Sequence, residues 1–209
     1  MTFSIVARCP KTLALGAAVS TAVPAVGSVV PHVRANVGAI ATQAQTNITY
    51  GAEGLELLEK GLTPQKALKK MLAKDPDKEK RQVIIIDATG RTAAFTGQET
   101  DAWKGHSVGE DYIVAGNMLM DGRVIEAMSN SFERGKGSLA KRLLEALEAG
   151  QRAGGDKRGR ISAALLVADK RWASPSRPLL DLRVDAHQNP VEELRRVYGV
   201  ARSYFHISE

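Results

Sequence analysis

The first residues alternate between two faces, with Phe3, Ile5 and Ala7 on one and Thr2, Ser4, Val6 and Arg8 on the other. This period of two predicts a β-strand that begins at the second residue. Apolar and β-branched runs predict further strands, at residues 13–20, 26–35, 37–42, 83–86, 92–95, 112–119, 161–168 and 179–184. The segment around residues 103–106 is predicted to be a polar loop.

Helical spacing of apolar residues predicts five helices between these strands. The helix that carries Leu55 ends at Gly61, and the next begins at Thr63-Pro64 with a cap and an N1 proline. The other three begin near Asp121, Ser138 and Asn189. Strands come in blocks and helices mostly in pairs, which predicts an α+β fold rather than alternating βαβ units. We therefore expect a single domain, 1–209, as a four-layer αββα sandwich of two stacked antiparallel sheets.

Composition narrows the function classes. The chain has 209 residues, a net charge of +6 and only 5% aromatic residues. Its basic residues are scattered and not interleaved with aromatics, which makes nucleic-acid binding unfavoured. No apolar run suits a signal peptide or a membrane span, so we expect a cytoplasmic protein with no membrane partner. The single Cys9 and the histidine spacing predict no metal site, and no nucleotide fingerprint predicts a cofactor.

Thr2 is the candidate of greatest chemical interest. Removal of Met1 would give one residue both a hydroxyl nucleophile and a free α-amine, whose pKa of about 7.7–8.0 suits a base near neutral pH. The alternative interpretation is that Met1-Thr2 only marks where translation begins.

The order of these elements and several motifs resemble the N-terminal nucleophile (Ntn) hydrolase superfamily. Within it, the chain is most similar to a bacterial and archaeal family of unknown function. The residues that carry the resemblance lie at 2–8, 25–31, 41–47, 50–51, 54–58, 116–119, 155–165 and 181–185. The resemblance implies hydrolysis of an amide bond, linear or cyclic C–N, in a small metabolite through Thr2. It also implies a homodimer or a larger homo-oligomer.

Cys9 stands where the family pattern has an acidic residue, and a buried or turn cysteine is its favoured interpretation. Two other features favour a different hypothesis, a non-catalytic Ntn fold that binds a ligand or serves in assembly. No lysine lies between Lys11 and Lys60, although proteasome-type sites use one, and Arg34 is the nearest cation. Retention of Met1 would remove the free amine.

The predicted catalytic residues are Thr2, Ser4, Asn117 and Asp156. Ser4 shares the strand face of Thr2, where it either assists Thr2 or packs below it. Asn117 interrupts an apolar strand, so its amide needs partners; it is predicted to donate to a tetrahedral intermediate or to make a structural hydrogen bond. Asp156 is a candidate to orient the amine.

The predicted substrate-binding residues are Arg34, Gln43, Asn47, Arg160 and Ser162. Backbone amides at residues 43–47 would also serve as oxyanion donors, because a helix start leaves N–H groups free. Helix capping is the equal alternative for Gln43 and Asn47. Arg160 would bind a carboxylate, or else lie in a solvated loop. The expected partner is an anionic small-molecule substrate.

Overall fold

The computed structural model describes residues 2–169 and 179–205. Ten strands lie in this part of the chain: β1 Thr2–Arg8, β2 Leu15–Thr21, β3 Pro31–Arg34, β4 Gly38–Ala44, β5 Arg81–Asp87, β6 Thr92–Thr96, β7 Gly105–Gly109, β8 Tyr112–Asn117, β9 Ser162–Ala168 and β10 Leu180–Val184. They form a six-stranded sheet, in the order β10-β9-β2-β1-β8-β7, and a four-stranded sheet, in the order β3-β4-β5-β6. Every pairing is antiparallel.

The five helices are α1 Thr49–Glu59, α2 Pro64–Leu72, α3 Arg123–Arg134, α4 Leu139–Arg152 and α5 Pro190–Tyr204. Helices α1 and α2 cover the outer face of the four-stranded sheet, and α3, α4 and α5 cover that of the six-stranded sheet. A third apolar cluster, which includes Val6, Val19 and Ile84, fills the space between the sheets. The α+β sandwich predicted from the sequence is confirmed. No described helix is both long and apolar enough to cross a bilayer.

Local signals located the helix starts well. The Thr63 hydroxyl accepts the Lys66 N–H at 3.3 Å, and the Ser138 hydroxyl accepts that of Lys141 at 3.3 Å, so both act as N-caps. Each predicted N1 proline also opens a helix.

Two predicted elements were wrong. The run 26–35 is not one strand, because Ala25 adopts a left-handed conformation (φ 56°) and Val26–Ser28 forms a 3-10 turn before β3. The predicted polar loop at 103–106 runs into the edge strand β7, whose alternating exposure gives little apolar signal. The first error arises because an apolar run does not show the turn inside it, and the second because few apolar side chains mark the strand.

Candidate functional site

Thr2 opens the central strand β1, where two neighbouring strands end beside it. Its Cα partners are Thr21 at the end of β2 and Asn117 at the end of β8. Only 6% of Thr2 is exposed, and its hydroxyl lies 3.2 Å from the hydroxyl of Thr21. Val6 lies on the same strand face as Thr2, four residues further along, and packs between the two sheets. The Thr2 side chain therefore also faces the inter-sheet space. Thr21 was not predicted; only its place across a hairpin could have indicated it.

A cavity of about 470 Å³ opens beside Thr2, and we call it the Thr2 pocket. Part of its lining is apolar and consists of Val23, Val26, Val29 and Val30. Charged side chains of both signs line another part: Lys80, Glu99, Asp101 and Arg158. The pocket is large enough for a small organic molecule, and its lining offers both apolar and charged contacts.

Asn117 lines the same pocket and belongs to a buried chain of amides. Its Nδ2 donates to Gln82 Oε1 at 3.0 Å, and Gln43 Nε2 donates to that same oxygen at 2.7 Å. Gln82 Nε2 lies 2.9 Å from Gly116 O and 3.0 Å from Gly105 O. Gln82 was not predicted, although a glutamine beside the run Val83–Ile86 was a signal for a buried polar group.

Asp156 lies just behind the pocket and is almost fully buried. Its carboxylate accepts the Ala22 N–H at 3.0 Å and the Arg158 N–H at 2.8 Å. The Arg158 guanidinium, which lines the pocket, lies 3.4 Å from Asp156. Asp156 therefore ties the end of the β2 loop to the loop that carries Arg158. No hydrogen bond joins Asp156 to Thr2 in the described residues.

The loop after β4 supplies another part of the pocket, through Ala44, Gln45 and Thr46. Both backbone polar groups of Gln45 are hydrogen-bonded: its N–H donates to Lys80 O at 3.1 Å, and its carbonyl accepts from Arg81 Nη1 at 2.8 Å. The backbone N–H of Thr46 makes no hydrogen bond within the described residues. Thr46 therefore brings a donor without a partner among the described residues to the lining of the pocket.

Arg81 is itself held by Asp75, whose carboxylate accepts from Arg81 Nε at 2.9 Å and from the Tyr50 hydroxyl at 2.8 Å. The Arg81 guanidinium and the other donors hold the pKa of Asp75 well below its usual range. Burial, and then the Asp75 acceptor, raise the pKa of Tyr50. This cluster fixes the base of the loop that carries Thr46.

Residues 2–194 match the profile of a family described as Family of unknown function (DUF1028). The chain belongs to this family. A crystal structure of a DUF1028 protein from Silicibacter pomeroyi is 36% identical, with a TM-score of 0.87 over 96% of this chain and 89% of that chain. Anbu (ancestral beta-subunit) from Yersinia bercovieri is 8% identical, with a TM-score of 0.42 over 98% of this chain and 96% of its own. This structural similarity is too low to support a conclusion about function. No protein of curated function matches.

In this DUF1028 chain, two predicted arginines lie away from Thr2. Arg34 forms an ion pair of 2.7 Å with Glu59 and lines a different cavity. Arg34 pairs with Gly38 at one end of β4. The other end, Ala44, lines the Thr2 pocket and is six residues, or roughly 20 Å, away. Arg160 donates to Gln188 O at 3.1 Å and lines a groove beside α4 and α5.

Three other predicted residues have structural partners. The Asn47 side chain accepts the Thr49 N–H at 3.1 Å in the turn that leads into α1. The Ser162 hydroxyl donates to Val23 O at 2.6 Å and accepts the Val26 N–H at 3.1 Å, which shapes the valine-lined loop. Gln43 bonds to Gln82, as described above. None of the three lines the Thr2 pocket.

Ser4 lies one pair below Thr2 on the same strand face and is completely buried. Among the described residues its hydroxyl has no hydrogen-bond partner, and neither has Gln43 Oε1. Within residues 2–169 and 179–205, no three histidine, cysteine or acidic side chains cluster as metal ligands would. Lys80, the lysine of the pocket, is paired with Asp77 at 2.8 Å.

Proposed function

We propose that this protein is a member of the Ntn hydrolase superfamily and cleaves an amide C–N bond in a small molecule, with Thr2 as the nucleophile. One observation carries the proposal: the Thr2 hydroxyl lies at the end of the central strand, beside a pocket of about 470 Å³, and is held 3.2 Å from the Thr21 hydroxyl. A buried nucleophile next to a substrate-sized cavity is the arrangement that acyl transfer needs.

The reaction follows from the groups present once Thr2 is the first residue. Its α-amine takes the hydroxyl proton while Thr2 Oγ1 bonds to the substrate carbonyl carbon. The Thr46 N–H, which has no partner among the described residues, is the candidate donor to the oxyanion. The ammonium then gives its proton to the leaving nitrogen as the C–N bond breaks. Water, deprotonated by the same amine, then bonds to the acyl carbon; the bond from that carbon to Thr2 Oγ1 breaks, and the ammonium returns its proton to Oγ1, which restores Thr2 and releases a carboxylic acid.

The lining of the Thr2 pocket suggests what the substrate looks like. The valine wall suits a short apolar segment, and its contact with that segment would exclude water from the ester. Arg158 supplies a cation at the same pocket, which suits a carboxylate on the substrate. We therefore propose a small amide that is partly apolar and carries an anionic group.

The decisive experiment combines intact mass with turnover of an amide library. We expect the purified native protein to lack one methionine mass, and Thr2→Ala to abolish hydrolysis. Thr2→Ser is the matched control, because it keeps a hydroxyl and an α-amine and should retain part of the rate. Full retention of Met1, or undiminished activity of Thr2→Ala, would contradict the mechanism.

A second candidate is a non-catalytic ligand-binding protein. It is favoured by one observation: Lys80, which lines the pocket, forms an ion pair of 2.8 Å with Asp77, and no hydrogen bond joins it to Thr2 among the described residues. This candidate predicts that a small anionic amide raises the melting temperature of Thr2→Ala and of the wild type equally, with no turnover by either. Hydrolysis by the wild type alone would contradict it.

A further inference from the structure

The amide orientation of Gln82 is dictated by its surroundings. One end of the side chain faces two backbone carbonyls, Gly116 O at 2.9 Å and Gly105 O at 3.0 Å. A carbonyl can only accept a hydrogen bond, so this end must be the NH₂ group. Gln82 is fully buried, and reversing its amide would place its oxygen against both carbonyls.

This orientation determines that of Asn117 in turn. Gln82 Oε1 can only accept, so the Asn117 atom that lies 3.0 Å away must be Nδ2. Asn117 Oδ1 is the other end of that amide and is turned away from Gln82. Because Asn117 lines the Thr2 pocket, the pocket side of this amide carries an acceptor. This differs from the oxyanion donor that the sequence predicts.

Strand geometry places the Thr2 nitrogen next to Asn117. The Arg8 N–H donates to Asp111 O at 2.9 Å, on the β8 side of β1. N–H groups two residues apart on a strand point to the same side, and the register from Thr2 to Ala7 has no interruption. The Thr2 nitrogen therefore points toward β8, where Thr2 and Asn117 form a hydrogen-bonded pair at a Cα separation of about 5.5 Å. One N–H of Thr2 faces the backbone carbonyl of Asn117 in such a pair, and a free α-amine has a further hydrogen available beside the Asn117 side chain, which lies on the same face of the sheet as that of Thr2.

We propose that Asn117 Oδ1 accepts a hydrogen bond from the α-amino group of Thr2, and that Gln82 is the positioning residue that keeps this oxygen turned toward it. The inference rests on the proposed function, because it needs a free Thr2 amine. An acceptor on one N–H fixes the rotation of the amine, so that its lone pair can face the Thr2 hydroxyl. The same oxygen stabilises the ammonium that forms when the hydroxyl proton is transferred.

The test measures the pKa of the amine directly, on full-length protein from which a leader peptide has been cleaved so that Thr2 is the first residue. Labelling of the N-terminus with an amine reagent is followed by mass spectrometry across pH 5–10. Asn117→Asp places a carboxylate beside the amine and should raise its pKa by about one unit or more. Asn117→Leu removes the acceptor and should lower it, with Asn117→Ala as a substitute if the leucine variant does not fold.

Two further variants isolate the role of Gln82. Gln82→Met removes the group that orients Asn117 and should move the amine pKa in the same direction as Asn117→Leu. Gln43→Met is the matched control: it removes the other donor to Gln82 Oε1, 2.7 Å away, and should leave the amine pKa unchanged. Equal amine pKa values in the wild type and both Asn117 variants would overturn the inference.

Turnover by the same samples separates this inference from the proposed function. If the amine pKa shifts as expected but Thr2→Ala still hydrolyses the substrate, the Asn117 contact stands and the Thr2 mechanism fails. If Thr2 proves essential while the amine pKa is the same in the wild type and in the Asn117 variants, the Thr2 mechanism is supported and the Asn117 contact is refuted.

Discussion

The hydroxyls of Thr2 and Thr21 lie 3.2 Å apart at the ends of two paired strands. Either hydroxyl can donate to the other. In the proposed mechanism Thr2 Oγ1 loses its proton, and the Thr21 hydroxyl would then donate to it. Thr21 therefore contacts the atom that is the nucleophile in that proposal.

Thr21→Val should lower kcat with little change in KM, because it removes a hydrogen bond to the nucleophile without changing the shape of the pocket. A net hydrogen bond of about 1 kcal/mol corresponds to roughly a five-fold loss of rate. Thr21→Ser keeps the hydroxyl and is the control, with kcat near that of the wild type. Steady-state kinetics of both variants checks this, and an unchanged kcat for Thr21→Val would argue against the contact.

The sequence allowed the layers of the fold to be predicted because local signals agree with the tertiary structure. The alternation of β1 and the caps at Thr63 and Ser138 depend on neighbours only a few residues away. The chemistry of Thr2 itself, at the start of a strand, was enough to make it a candidate nucleophile. These features need no knowledge of how distant segments meet.

The sequence could not predict contacts between residues that lie far apart along the chain. Gln82 and Asn117 are 35 residues apart and meet only because their strands face each other across the sandwich. Arg34 and Arg160 have the right chemistry for an anion, but their strands and loops carry them elsewhere. Arg158, only two residues from Arg160, reaches the pocket because Asp156 holds its loop.

Arg158→Ala should raise KM for an anionic substrate by about five-fold, because an exposed ion pair contributes up to about 1 kcal/mol. Arg160→Ala is the matched control, since it removes an equal charge from the neighbouring groove and should leave KM unchanged. Steady-state kinetics at low and high salt checks both, with the effect of Arg158→Ala shrinking as salt screens the charge. A larger effect from Arg160→Ala would place the anion in the other groove.

Ser4→Ala should stabilise the protein by about 1 kcal/mol, because a buried hydroxyl without a partner is costly. For a chain of this size that corresponds to a rise in melting temperature of about 2–4 °C. Ser20→Ala is the control: Ser20 is equally buried but donates to Ser162 O at 3.3 Å, so its loss should lower the melting temperature. Calorimetry of both variants checks the pair. A fall for Ser4→Ala would show that its hydroxyl has a bonding partner, such as a bound water.

Asp75 should make the stability of the protein depend on acid pH. Its side chain is 6% exposed and that of Arg81 12% exposed, at a distance of 2.9 Å. Because Arg81 first, and then Tyr50, Asp77 and Asn47, hold the folded pKa of Asp75 below the unfolded value of about 3.9, the carboxylate stabilises the fold above that value. This contribution is lost as the pH falls from about 4 through the folded pKa.

Asp75→Asn should therefore lower the free energy of unfolding at pH 7 by about 2 kcal/mol, the scale of hydrogen bonds to a charged group. The difference between Asp75→Asn and the wild type should shrink steadily below pH 4, as protonation removes the same charge from the wild type. Tyr50→Phe, which removes one donor to Asp75, should lower stability less, and the acid loss of the remaining contribution should again begin near pH 4 but be complete at a higher pH than in the wild type. Urea unfolding at pH 7, 5, 4, 3 and 2 checks this, and a difference that stays constant across that range would show that the Asp75 charge does not stabilise the loop beside Thr2.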